Sequence, residues 1–454
     1  MSPHVETRHA ASETRENYLR GVILRPLFPG WGNPSEGYRF SDRIDAKLTY
    51  NALNLHMTFR RIAASALCLT LCCPLLLATT KKPRAKKAPA VEPACDVIPL
   101  PAASVQKPPL STIKQQHLDD ALLDAAEDNK IEPLRELLAK GADPNARDEH
   151  CVTPLMISAE YFDTTMAQAL IDAGADINAR DTVGWTALLT AADAGNMPAF
   201  NLLLAHKANV NQADNDRWTP LVAAVLGSRL DAVQALLAAG AKIRIQDKNG
   251  TTPLMFAAAE GDVRVLEALI AGLNAEEKPA KQSDNAKSAL DDTDYYGWTA
   301  LHHAANQRRA DCVLALINAG ASVDVRNKIG WVPLMLAAER GDALTTMAFL
   351  SKGADANTKS PNGTTPLMLA AASGDIATIR ALLLGGAHVN DQRDDGHAAL
   401  FSAAEHGSVE IVQILIAAGA DVEAKNAQGL TALASAARRQ TSELITAMRD
   451  AGAK

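Results

Sequence analysis

Residues 181–192 read DTVGWTALLTAA, and residues 295–306 read YYGWTALHHAAN. A chain with five tryptophans uses two of them in nearly the same phrase. Self-similarity of this kind comes before any residue-level reading, because a missed repeat misassigns the whole fold. Phrases built mostly on Thr, then Pro or Ala, then Leu return along the chain. The residue before the Leu is Pro154, Ala187, Pro220, Pro253, Ala300, Pro333, Pro366, Ala399 and Ala432. Every step is 33 residues except Pro253 to Ala300, which is 47 and so carries 14 more. A Gly-Ala phrase after a Leu-rich run keeps the same beat at Gly141, Gly174, Gly240, Gly320, Gly353, Gly386, Gly419 and Gly452. One step back from Pro154 falls on Ala121, so the sequence predicts ten units.

Each unit has a physical reading. Thr219 before Pro220 is a helix start: the Thr oxygen can accept an orphan backbone N–H, and Pro at the first helical position has none to satisfy. Leu221, Ala223 and Ala224 then give a short helix with a small-residue face, ending at Gly227. In LDAVQALLAAGA, residues 230–241, Leu230, Val233, Leu236 and Leu237 form an apolar stripe at helical spacing. Gly240 suits the left-handed turn that closes such a helix. Asn249-Gly250 and Asn362-Gly363 have the residue types of a tight hairpin turn. The unit is helix, turn, helix, hairpin. It is too small to bury its stripe alone, so neighbours must stack into one continuous core.

With its 33-residue period and a phrase close to Thr-Pro-Leu-His-x-Ala, the chain over residues 112–454 resembles the ankyrin repeat. The departures are local. Lys207 stands for a closing Gly, Gly272 is followed by Leu273, Cys151 replaces a hairpin Gly, and only His302 occupies the family's His position. The resemblance implies an all-α solenoid whose hairpins and first helices form a concave partner-binding surface, with His302 tying neighbouring turns together. Polar residues in 112–126 and after Arg438 suit the two capping ends of an array.

The N-terminal quarter differs. Residues 1–111 hold 15 Lys or Arg against 8 Asp or Glu, which leaves 30 against 44 in the array. That acidic balance argues against nucleic acid binding through phosphates. From Met57, Arg60 and Arg61 precede an uncharged run, Ile62 to Ala78, with small residues after it. This is the layout of a secretory signal peptide over 57–80, which makes 1–56 an upstream extension. The competing reading is a membrane anchor at 62–78, since Lys81, Lys82, Arg84, Lys86 and Lys87 follow the run and favour a cytoplasmic side. Residues 81–111, rich in Pro, Lys and Ala, read as a disordered linker. Localisation is therefore expected to be periplasmic or extracellular, or membrane-tethered, with a cytoplasmic array in the anchor case.

Motif chemistry is sparse. No phosphate loop, His-Glu-x-x-His, Cys-x-x-Cys or Gly-x-Ser-x-Gly is present. Outside the apolar run stand Cys95, Cys151 and Cys312, an odd number without zinc or disulfide spacing. Cys312 aligns with Ala232 on a packed helix and reads as buried, while Cys151, at a hairpin, reads as exposed. His302 and His303 are adjacent, yet the pattern gives them no convergent partners. No catalytic residue, metal ligand or cofactor is expected.

What remains is surface. Trp185, Trp218, Trp298 and Trp331 occupy one phase, just before the helix-starting Thr or Val. Either packing against the adjacent hairpin or partner contact accounts for them. Tyr295 and Tyr296 close the inserted segment, expected as an irregular loop over about 273–293 projecting from the hairpin side, where repeat proteins often place binding insertions. The resulting expectation is a monomeric, exported or membrane-tethered module that binds a protein partner through Trp185, Trp218, Tyr295, Tyr296, Trp298 and Trp331. The alternatives are a mechanical spacer, a secreted effector-type array, or an enzyme with a groove site built on His302, His303 and nearby acids.

Overall fold

The computed structural model describes residues 110–277, 289–437 and 442–450. Within them are twenty α-helices, from Leu110–Glu127 to Ser442–Asp450, arranged as consecutive pairs. Thr153, Thr186, Thr219, Thr252, Thr299 and Thr365 cap the first helix of their units, each side-chain oxygen accepting the N–H three residues on. Val332 and Ala398 cannot do this, yet Pro333–Glu339 and Ala399–His406 are helical all the same. Packing therefore outweighs the cap, which contributes only about 1 kcal/mol.

First helices pack on first helices of adjacent units and second helices on second helices. The Ala-rich phrase makes the closer contact possible: Ala223, Ala224, Ala257, Ala258, Ala304 and Ala305 are all buried. In the second helix Leu230–Ala238, Val233 and Leu236 are fully buried, whereas Gln234 faces solvent. Gly240 closes that helix with φ +85°, and Lys207 holds the same turn with φ +64°. Gly227 ends its helix as expected, at φ −79°, and the left-handed residue is the next one, Ser228, at +52°.

Polar side chains stitch one unit to the next. Asn211 donates through Nδ2 to the Gly240 carbonyl (3.2 Å) and accepts the Lys242 N–H (2.8 Å). Asn357 makes the same pair with Gly386 and His388, and Asn390 with Gly419 and Asp421. At the start of the array Gln115 and Asp119 take over, bonding the Gly141 carbonyl and the Asp143 N–H. The first helix is thus a cap that supplies the missing neighbour's bonds.

Each hairpin is organised by a side chain at its base. Asp214 Oδ1 accepts the N–H groups of Asp216 and Trp218, both at 2.8 Å, and its own N–H bonds the Trp218 carbonyl. The Asn215 N–H then reaches the Val183 carbonyl of the preceding hairpin. Among the described residues, strand-type pairing is limited to an isolated bridge, Lys425 with Thr431. The hairpins are tight turns joined edge to edge.

Residues 273–277, expected to be irregular, instead lengthen the second helix Val263–Glu277, with Leu273 buried. Ala289–Asp291 forms a 3-10 turn at the far end of the insert. Arg244 pins that end through a bidentate pair with Asp292, at 2.8 and 2.9 Å. The expected signal or anchor and the linker up to residue 109 lie outside the described residues. Among those described, no helix is long and apolar enough to cross a membrane.

Because each interface contributes separately to stability, Leu236→Ala should lower unfolding free energy by about 2–5 kcal/mol through the cavity it leaves. Gln234→Ala, on the exposed side of the same helix, should change it by no more than about 0.5 kcal/mol. Urea melts of the two variants check the assigned face, and equal losses would contradict it.

Candidate functional site

The tryptophans sit where hairpins meet first helices. Trp218 packs edge-on against Phe256 of the next unit, with centroids 5.9 Å apart. Trp298 lies against His302 and His303, at 6.2 and 5.3 Å. Hairpins and the exposed positions of the first helices therefore share one face. The indoles also reach forward: Trp185 Nε1 donates to Asp214 Oδ2 at 3.2 Å, and Trp218 hydrogen-bonds Asp247. Burial raises the Asp247 carboxyl above its ordinary pKa, and bonds from Thr251, Asn249 and Trp218 oppose that rise. These aromatic side chains seal hairpin to hairpin.

Burial separates the six expected contact residues. Trp185 and Trp298 are only 7% and 8% exposed, Trp218 and Trp331 are half-buried, and Tyr295 and Tyr296 are 54% and 40% exposed. Tyr295 lies over Gly250, where an added Cβ would come within 2.7 Å of its ring. Ile329, 62% exposed, is at the tip of the next hairpin, whose Lys328 N–H bonds the Tyr296 carbonyl. Val183, 40% exposed, has the same phase. Val183, Tyr296 and Ile329 each stand two residues before a Trp, so the register already pointed to the two aliphatic tips.

His302 is fully committed to the scaffold. Its Nε2 lies 3.1 Å from the Trp331 carbonyl, which can only accept, so Nε2 carries the proton. Nδ1 is then the acceptor for the Thr299 N–H at 3.2 Å. His303 Nε2 meets buried Asp294 Oδ2 at 3.1 Å, while Asp294 Oδ1 accepts the N–H groups of Tyr296 and Trp298. His303 thus holds the hairpin that bears the tyrosines, and His302 ties its own helix start to the hairpin that follows. Among the described residues, no group of three or more His, Cys, Asp or Glu is arranged to hold a metal ion.

Just past the helix Pro154–Ser158, Glu160 has its pKa raised by burial and then by Asp193, and Glu339, at the end of Pro333–Glu339, by burial with Arg340 opposing. Cys312 is the expected buried free thiol, its pKa pushed up to about 11 by burial. The reading of Cys151 is corrected on two counts. It is 2% exposed rather than open to solvent, and it is disulfide-bonded. Its φ of +62° keeps the hairpin conformation of the glycine it replaces, so backbone type was legible and side-chain state was not.

The family profile described as ankyrin repeats (3 copies) matches residues 155–247, 228–327, 309–393, 334–426 and 374–454. Together these cover 155–454 of the 454 residues, well over half of the chain. The chain belongs to the ankyrin-repeat family. Ankyrin repeats mark a protein–protein interaction module, and the family is typically a non-enzymatic scaffold. Among curated proteins, no match to the chain was found.

Burial holds the His302 pKa down to about 4, against an ordinary value of 6.5. Between those values the unfolded chain binds the extra proton, so stability falls as pH falls and is fully retained above the upper one. The shift is equivalent to about 3 kcal/mol once the pH is below the folded value. His302→Gln should flatten this part of the pH profile. Denaturant melts from about pH 7 to about pH 4.5 would test it, and parallel profiles for parent and variant would refute the assignment.

Proposed function

We propose that the chain is an exported or membrane-tethered array of ten ankyrin repeats that binds a protein partner on its hairpin and first-helix face and performs no chemistry. The observation that carries the reading is the row of exposed apolar hairpin tips, Tyr295, Tyr296 and Ile329, above a wall of aromatic side chains. Large apolar groups held in water at turn tips, on rigid supports, are what a partner interface uses as anchors. Within the set, Tyr295 and Tyr296 supply contact, the half-buried edges of Trp218 and Trp331 extend it, and Trp185 and Trp298 hold the hairpins in place. Scaffold use of both His302 nitrogens supports the non-catalytic reading over an enzyme centred there.

A photo-cross-linking residue at position 296 or 329 should capture a discrete partner in the native host. The same residue at position 347, exposed on the second-helix side, should not. Replacing both Tyr295 and Tyr296 by Ala should then weaken binding of the captured partner by about 2 kcal/mol or more, the scale of an aromatic hot spot. Trp298→Ala should cost more in melting temperature than the double Tyr variant does. Equal capture from both faces, or an unchanged affinity, would refute the face assignment.

Export rests on the layout from Met57 to Thr80. Intact-mass measurement of protein from its native host should give a chain that begins near Thr79 or Lys81. Retention of Ile62–Ala78 would overturn cleavage.

A further inference from the structure

Successive hairpins are joined in a fixed way, and among the described residues one joint departs from it. The tip carbonyl of one hairpin accepts the main-chain N–H of the next: Val183 from Asn215, Asn249 from Tyr295, Tyr296 from Lys328, Asn362 from Asp394 and Asp395 from Ala427. After Ile329 the donor's place is held by Pro361, which has no N–H to give. A Cβ at Gly297 would lie 2.9 Å from the Lys328 N, whereas one at Gly330 would lie 3.7 Å from the Pro361 N and meet its ring first. The ring holds this seam open, and no group among the described residues bonds the Ile329 carbonyl.

We infer that the tips from Tyr296 to Ile329 take an extended, acidic segment of the partner protein. The segment donates a main-chain N–H to the Ile329 carbonyl, lays an apolar side chain against Tyr296 and Ile329, and sets a carboxylate against Lys328. This rests on the partner-binding face proposed above and adds what kind of segment binds there.

Apolar surface and positive charge meet at this place. Ile329 and Tyr296 are 62% and 40% exposed, and the Lys328 N–H bond to the Tyr296 carbonyl holds their hairpins side by side. Lys328 is exposed and has no carboxylate partner among the described residues. Arg326, on the same hairpin, gives its Nη1 to the Gly330 and Lys359 carbonyls, which leaves its charge without an acid as well. The array as a whole holds 30 Lys or Arg against 44 Asp or Glu, so a cationic spot beside apolar tips is a local departure. An acidic segment is drawn to that spot and repelled by the surface around it.

The open carbonyl selects the form of that segment. Water satisfies it in the free protein, but a partner that covers it must bring a donor in water's place. The interior N–H groups of a helix are already bonded within the helix, whereas an extended chain presents them. Successive hairpins follow the helices they join, about 8–10 Å apart, a distance that about three extended residues cover. The carboxylate therefore falls within about three positions of the apolar residue seated between the tips.

In the test, a photo-cross-linking residue replaces Tyr296 in the full-length chain in its native host, and the joined partner peptide is sequenced by mass spectrometry. Asp or Glu is expected within about three positions of the cross-linked residue. That segment is then synthesised and titrated against the parent chain and its variants. Lys328→Glu should weaken binding by about tenfold or more. Lys425→Glu, the same change of charge three hairpins on, should alter it by less than about twofold. Both lysines are exposed, so neither change should disturb folding. Raising the ionic strength from about 0.05 M to about 0.5 M should weaken the parent several-fold and Lys328→Glu hardly at all. Pro361→Ala restores an N–H that competes for the Ile329 carbonyl, and should weaken binding about fivefold. A cross-linked segment without carboxylates, or equal effects of the two lysine variants, would overturn the acidic partner. Parent-like binding by Pro361→Ala would overturn the extended form. If either happens while the double Tyr variant still loses affinity, the face stands and the segment falls. Absence of any cross-link from positions 296 and 329 removes the face and this inference together.

Discussion

Each helix pair of this protein holds half a core, and the next pair supplies the other half. That dependence explains why the most uniform feature of the sequence is the small-residue phrase on the first helix: alanines let successive first helices approach closely enough to exclude water from both. It also explains the polar seam. Asn211, Asn357 and Asn390 each bridge to the closing turn of the following unit, a place where helix-end carbonyls would otherwise go unpaired. These bonds lie at exposed positions where water competes for the carbonyls, so each contributes about 0.5–1.5 kcal/mol net. The bond to the neighbour is therefore part of the unit's own stability.

The hairpins obey the same rule with different groups. A side chain at the base, such as Asp214 or Asp294, gathers two N–H groups of its own turn, and an indole or imidazole spans to the next element. His302 and His303 belong to this system. One bonds the following hairpin's carbonyl and the other the buried carboxylate beneath the tyrosines. An array with so few aromatics can afford them at one phase because that phase does two jobs: the buried side of each ring closes a seam, and its edge borders the face above.

Period, phase and helix starts were legible in the sequence because they depend on residue types that recur: a Thr before Pro, a Gly at a left-handed turn, a Leu stripe at helical spacing. What was not legible depended on a single neighbour. Gly227 reads as the end of its helix and is, but which residue takes the left-handed turn was not readable: it is Ser228, one place past the cap. The insert reads as irregular from Leu273, yet Leu273 finds a buried place and the helix continues through it. Cys151 reads as an exposed thiol, whereas it is buried and disulfide-bonded, because neither its burial nor its bonding follows from its place in the repeat. The Trp phase was clear, whereas the division between buried Trp298 and exposed Tyr296, two residues apart, follows from which side of the hairpin each occupies.

That division shows how a repeat protein can change what it recognises without changing its fold. In the hairpins of residues 214–218 and 294–298 the base is Asp and the last residue is Trp, but the tip two residues earlier is Asp216 in one and Tyr296 in the other. The base groups bond the turn and the ring closes the seam in both. The tip lies outside either task, so its side chain can vary with little cost to the stack. Apolar tips at Val183, Tyr296 and Ile329 carry a small price in solvation, each being 40% exposed or more. A tip that joins the stack through its backbone yet holds an apolar group in water supports the proposed partner contact, and two of the three tips fall on adjacent hairpins.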